Sequence, residues 1–189
     1  MVTVPPRSLS RFVLLAATAS AVVACDDHTS FSTGPDEAYC GAVTLSASFR
    51  EGLSPRVQLR LRLDAGALGD ASRSPGVLST YEAAGGGGGA RRLLDEAPLR
   101  PLGAVAHDTL SQLELGEERE GNYLYAVSPA DDSAESILAI VSLRSDDRVE
   151  VRLLRPGVAP PPGGTEVPDG RRPVFGLFVL DKKSGACGF

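Results

Sequence analysis

The stretch Val57–Leu63 (VQLRLRL) alternates apolar and polar residues without a break. A period of two puts Val57, Leu59, Leu61 and Leu63 on one side of an extended chain, with Gln58, Arg60 and Arg62 on the other. A helix of 3.6 residues per turn would scatter the same leucines around its circumference. The pattern recurs. Residues 42–50 (AVTLSASFR) set Val43, Leu45, Ala47 and Phe49 against Thr44, Ser46, Ser48 and Arg50. Arg148–Leu154 (RVEVRLL) turns Val149, Val151 and Leu153 inward and Glu150 and Arg152 outward. Residues 51–55 and 144–147 have turn composition, so β-hairpins are expected over 42–63 and 136–154.

Two further stretches, 136–143 (SILAIVSL) and 174–180 (VFGLFVL), are apolar on both faces and read as central strands covered on both sides. Short strands are also expected at 77–81, 102–106, 110–115 and 123–127, the last with Tyr123, Tyr125 and Val127 sharing a face. Residues 91–96 (RRLLDE) fit a single helical turn, stopped by Pro98 and Pro101. Loops are expected at 64–76, at the five-glycine run 85–89 and at the proline-rich 156–173. No stretch sustains a helical period. Seven to nine short strands point to an all-β fold, an antiparallel β-sandwich or a barrel-like domain. The length of 189 residues suits one domain, and 42% hydrophobic residues can fill one core. With no Trp and only 5% aromatics, that core must be largely aliphatic.

The first residues have a different character. Residues 1–11 carry Arg7 and Arg11 and no acid, and 12–24 (FVLLAATASAVVA) are apolar or small throughout. These are the charged and apolar regions of a secretory signal, too short to span a bilayer comfortably. The run closes on Val22-Val23-Ala24-Cys25, which resembles the lipobox of bacterial lipoprotein precursors: an aliphatic residue, a small or aliphatic one, a small one, then Cys. Val22 stands where Leu is commonest. The resemblance covers residues 1–25 alone. It implies a signal peptide over 1–24, cleavage between Ala24 and Cys25, a diacylglyceryl thioether on Cys25 and acylation of the new amino terminus. It also implies export and anchoring by lipid, with the outer membrane or cell surface favoured. Asp26 and Asp27, directly after the cysteine, resemble an inner-membrane retention signal, so the periplasmic face of the inner membrane is the alternative.

Residues 26–39 (DDHTSFSTGPDEAY) are polar and interrupted by Gly34-Pro35. Residues 25–39 therefore read as the lipidated cysteine and a flexible tether, with a reach of about 50 Å when extended, and 40–189 as one β-rich domain. Three cysteines are present. With Cys25 on lipid, Cys40 and Cys187 form an even pair in an oxidising compartment, and a disulfide between them would clasp the two ends of the domain. Cys40 is expected just before the first strand and Cys187 after the last, which would bring those strands together.

Signs of catalysis are sparse. His107-Asp108 is similar to the dipeptide of the helical HD-domain phosphohydrolases, which need further His and Asp ligands. No G-x-S-x-G elbow occurs. His28 stands in the tether beside two acids. The glycine run lacks the Lys-Ser/Thr ending and the spacing of a phosphate loop. Acidic pairs at Asp131-Asp132, Asp146-Asp147 and Glu117-Glu118 fall in expected turns, and Arg50, Arg60 and Arg62 form an outward stripe. The net charge is −5 and becomes two units more negative once residues 1–24 are removed, which argues against nucleic acid as a partner. The expectation is a lipid-anchored, non-enzymatic β-domain for binding or structural support. It has no cofactor, no metal site and no catalytic residue, meets the membrane through lipid on Cys25, and has an envelope protein as its possible partner. A hydrolase using His107 and Asp108 and a small-ligand carrier are the alternatives.

Overall fold

In the computed structural model the described residues are 28–46, 53–82, 92–104, 121–131, 135–144, 147–155, 174–185 and 187. They form nine strands: β1 (Glu37–Ser46), β2 (Val57–Leu63), β3 (Gly76–Glu82), β4 (Ala97–Pro98), β5 (Arg100–Ala104), β6 (Gly121–Val127), β7 (Ile137–Arg144), β8 (Arg148–Leu154) and β9 (Val174–Ser184). Every pairing is antiparallel, in the order β4-β3-β2-β1-β9-β8-β7-β6-β5. The two edges, β4 and β5, are separated in the chain by Leu99 alone. Because those edges lie one residue apart, the sheet must curl round on itself into a nearly closed barrel. No α-helix occurs among the described residues, only short 3-10 turns at His28–Phe31 and Ala65–Ala67.

β2 and β8 occupy the residues that their alternation marks out, and all four inward residues of β2 are buried. Leu59, Leu61, Leu78, Tyr125, Val141, Val151, Phe178 and Leu180 belong to one interior cluster. Full burial of an aliphatic side chain contributes about 2 kcal/mol, so this filled interior is the main source of stability. β7 is buried on both faces, as its composition requires.

Three local expectations need correction. Leu45 is not inward. The β1–β9 register shifts between Val43 and Leu45, and this bulge turns Leu45 outward, where it is 37% exposed. Residues 92–96 are not a helical turn. The Leu94 amide donates to Thr80 Oγ1 at 2.9 Å and the Thr80 amide donates to the Leu94 carbonyl at 2.9 Å, so the segment runs beside β3 and Leu94 drops into the core. The strand expected at 102–106 is β5, displaced toward the amino terminus. Pro98 and Pro101, expected to stop a helical turn, lie on the two edge strands, where a missing N–H donor is tolerated. Gly41 is a tight point of the barrel, since a Cβ there would run into the Val179 carbonyl oxygen of β9.

Two interior tyrosines differ in their bonding. The Tyr39 hydroxyl donates to the Phe31 carbonyl at 3.0 Å. The Tyr125 hydroxyl is buried with no hydrogen-bond partner among the described residues. Burial pushes the pKa of both phenols above the ordinary tyrosine range, helped at Tyr39 by Asp147 and Glu37 and at Tyr125 by Tyr123. The unfolded chain loses these protons above about pH 10 and the folded chain keeps them, so stability is complete below that pH and declines as pH rises past it. Tyr125→Phe removes both an unpaired hydroxyl and one of these contributions. Urea titrations are expected to find the variant at least as stable as the parent at neutral pH, with a smaller loss above pH 10. A clear loss of stability at neutral pH would show that the hydroxyl has a partner.

Candidate functional site

Residues 28–36 are polar apart from Phe31, and that one aromatic decides where they lie. Phe31 is 3% exposed and joins the interior cluster, holding the His28–Phe31 turn against the end of the barrel. Backbone and side-chain bonds then fix the segment. The Thr33 amide donates to the Leu63 carbonyl at 2.8 Å, and the Leu63 amide donates to Thr33 Oγ1 at 3.0 Å. The Ala65 amide donates to Ser32 Oγ at 2.9 Å, and Lys182 Nζ donates to the Ser30 carbonyl at 2.6 Å. β1 begins at Glu37. The flexible tether expected over 25–39 is therefore corrected for residues 28–39, which are built into the barrel. The domain starts well before residue 40.

Cys40 is the fourth residue of β1, not a residue ahead of it, and it faces outward because its neighbour Tyr39 faces in. β9 pairs with β1 as expected. Past β9, Gly185 adopts φ 83° and its amide donates to the Asp36 carbonyl at 2.7 Å, which turns the chain back along the outside of β1. Cys187 is joined there to Cys40 in a disulfide, with the Cα atoms 5.7 Å apart. The bridge packs against Ala38 and closes a sequence separation of 147 residues.

Alternation did not reveal a buried ion group on the outer face of β7 and β8. Glu150 lies between two arginines: Arg144 Nη1 is 3.2 Å from Glu150 Oε2, and Arg152 meets Glu150 Oε1. Glu150 and Arg152 face outward, as their positions in the strand require, yet they are only 3% and 4% exposed. Ser142, opposite Glu150 in the ladder, is fully buried. Next to them Ile140 and Leu154 pack with Leu124, Leu138 and Val174 in a second apolar cluster. The signal was in the sequence. A β7 apolar on both faces implies a covered outer surface, and its neighbour β8 shares that cover. Glu150 and Arg152 are closed to solvent, while the Arg144 side chain is 22% exposed.

The other expected residues divide between those the structure describes and those it does not. Arg62 of the outward stripe pairs with Glu96 at 2.9 Å at the surface. Asp131 and Asp147 lie in connections between strands, Asp147 at φ 54° in the turn between β7 and β8. Ala24, Cys25, Arg50, the glycine run, His107, Asp108, Glu117, Glu118, Asp132 and Asp146 lie outside the described residues. The strand expected at 110–115 and the loop at 156–173 lie outside them as well. Among the described residues no three His, Cys, Asp or Glu side chains are grouped to hold a metal ion, and no helix is long and apolar enough to cross a membrane. Comparison of the chain with protein-family models, curated proteins and solved structures finds no match.

Proposed function

We propose that the protein is a lipid-anchored lipoprotein of the bacterial envelope, held to its membrane through Cys25, and that its barrel is a non-enzymatic module for binding or structural support. The observation that carries this reading is the apolar run of residues 12–24 followed directly by a cysteine, as Val22-Val23-Ala24-Cys25. Two features of the barrel support it. The Cys40–Cys187 bridge is the chemistry of an oxidising compartment such as the periplasm or cell surface. The interior is filled by Tyr39, Tyr125, Phe175, Phe178 and aliphatic side chains, which suits a solid scaffold better than a carrier with a ligand inside. An envelope protein met through the outer surface or the loops is the partner that fits. The outer membrane or cell surface is the favoured location, and the acidic chain is not built for nucleic acid.

Cells grown with an alkyne-bearing palmitate test the anchor. The wild-type protein is expected to take up the label. Cys25→Ala is expected to lose it and to accumulate at the larger size of an uncleaved precursor. Equal labelling of the two proteins would refute attachment at Cys25.

A further inference from the structure

We infer that the barrel sits directly on the headgroup layer of the bilayer that anchors it, with the end carrying the His28–Phe31 turn facing lipid. The inference rests on the lipid at Cys25 proposed above. It follows from how few residues separate Cys25 from the barrel's own contacts. Only Asp26 and Asp27 separate Cys25 from the His28–Phe31 turn. Three residue steps reach about 10 Å, against about 50 Å for a free tether as far as residue 39. The turn cannot supply slack by peeling away. Phe31 is sunk in the core, Thr33 exchanges bonds with Leu63 of β2, and Lys182 of β9 holds the Ser30 carbonyl.

The antiparallel ladder shows what shares that end. β1 starts there, β2 and β9 finish there, and the loop over residues 64–75 returns to β3 there. Arg56 and Glu82 lie at the opposite end, where β2 begins and β3 finishes. With strands tilted as in a barrel, the two ends stand about 25 Å apart. The lipid-facing end carries both signs of charge: Asp64 pairs with Arg73 at 3.0 Å, and Asp36 and Lys183 are exposed nearby. Attraction to an anionic surface is therefore not what orients the barrel. The short link is, so the orientation persists at high salt, where charge attraction is screened. The far end, where β2 begins and β3 finishes, faces away from the bilayer and is the end that meets a partner.

The test uses the full-length protein processed in cells, purified from membranes and reconstituted in vesicles whose headgroups carry a nitroxide quencher. A fluorophore is placed through an encoded azide side chain at Ala71 or Lys183 on the near end, or at Arg56 or Glu82 on the far end. All four positions are exposed. Quenching is expected to be several-fold stronger at Ala71 and Lys183, and to stay so in high salt. A long Gly-Ser spacer inserted between Asp27 and His28 is expected to abolish the difference. Equal quenching at both ends, stronger quenching at the far end, or a difference that survives the spacer would each overturn the inference. The mass of each purified sample is read beside the quenching. An acylated protein with equal quenching defeats the seating alone, whereas an unacylated Cys25 defeats the anchor and the seating with it.

Discussion

Joint replacement of Cys40 and Cys187 by serine is expected to destabilise the barrel by about 2 to 5 kcal/mol. The bridge spans 147 residues, so in the chain-entropy description it removes more freedom from the unfolded chain than a short-loop disulfide would. It also lies beside the seam where β1 meets β9, the pairing that brings the two ends of the domain together. Without it that seam must close against the full entropy of the intervening chain. Urea unfolding of the oxidised protein, the reduced protein and the double variant provides the measurement. The midpoint should fall by the same amount in the last two. An unchanged midpoint would show that the β1–β9 ladder and the docking of Phe31 hold the ends together unaided.

A comparable loss is expected from one carboxylate. Glu150→Ala takes away the carboxylate that Arg144 and Arg152 share, where Arg152 has almost no access to water. Removing one member of a buried ion group costs about 3 to 5 kcal/mol, because a buried charge loses the opposite charge it was paired with. Replacing Arg144, Glu150 and Arg152 together by apolar residues is expected to cost much less than the single change. The surface pair Arg62–Glu96 serves as a control. Its side chains are 42% and 64% exposed, and Arg62→Ala should cost no more than about 1 kcal/mol. Chemical denaturation of these variants separates the cases. A Glu150→Ala protein as stable as Arg62→Ala would mean that the group is open to water.

Strict alternation made much of this barrel legible. β2 and β8 match their sequence pattern residue for residue because one face of each must be buried, and a one-residue slip would reverse every side chain. β7 was legible as a covered strand because it is apolar on both faces. Ladder bonds and local irregularities were less visible. β9 continues through the polar residues Asp181, Lys182, Lys183 and Ser184 because β1 pairs with them, and pairing does not depend on hydrophobicity. β1 begins at Glu37 in a stretch whose Gly34-Pro35 reads as linker. Its outward residues Ala38 and Cys40 are buried by a chain end that returns from far along the sequence. The bulge near Leu45 reverses the facing of the residues after it without altering the alternation that precedes it. Leu94 shows the limit of local propensity, since two hydrogen bonds to Thr80 outweigh the helical preference of RRLLDE. The ion group was half legible: the period of two gave the side of the sheet on which Glu150 and Arg152 lie, but it cannot say whether that side is covered.

The anchor proposed at Cys25 would link the amino-terminal sequence to the way the barrel is held. Arg50 is the first Lys or Arg after Cys25, so trypsin digestion of the reduced, membrane-derived protein releases residues 25–50 as one peptide. Its mass is the direct measurement. A peptide that begins at Cys25 and carries a diacylglyceryl group and an amino-terminal acyl chain is the predicted result. A peptide that still joins Ala24 to Cys25, or one that begins at Cys25 with a free thiol, would contradict the lipid anchor.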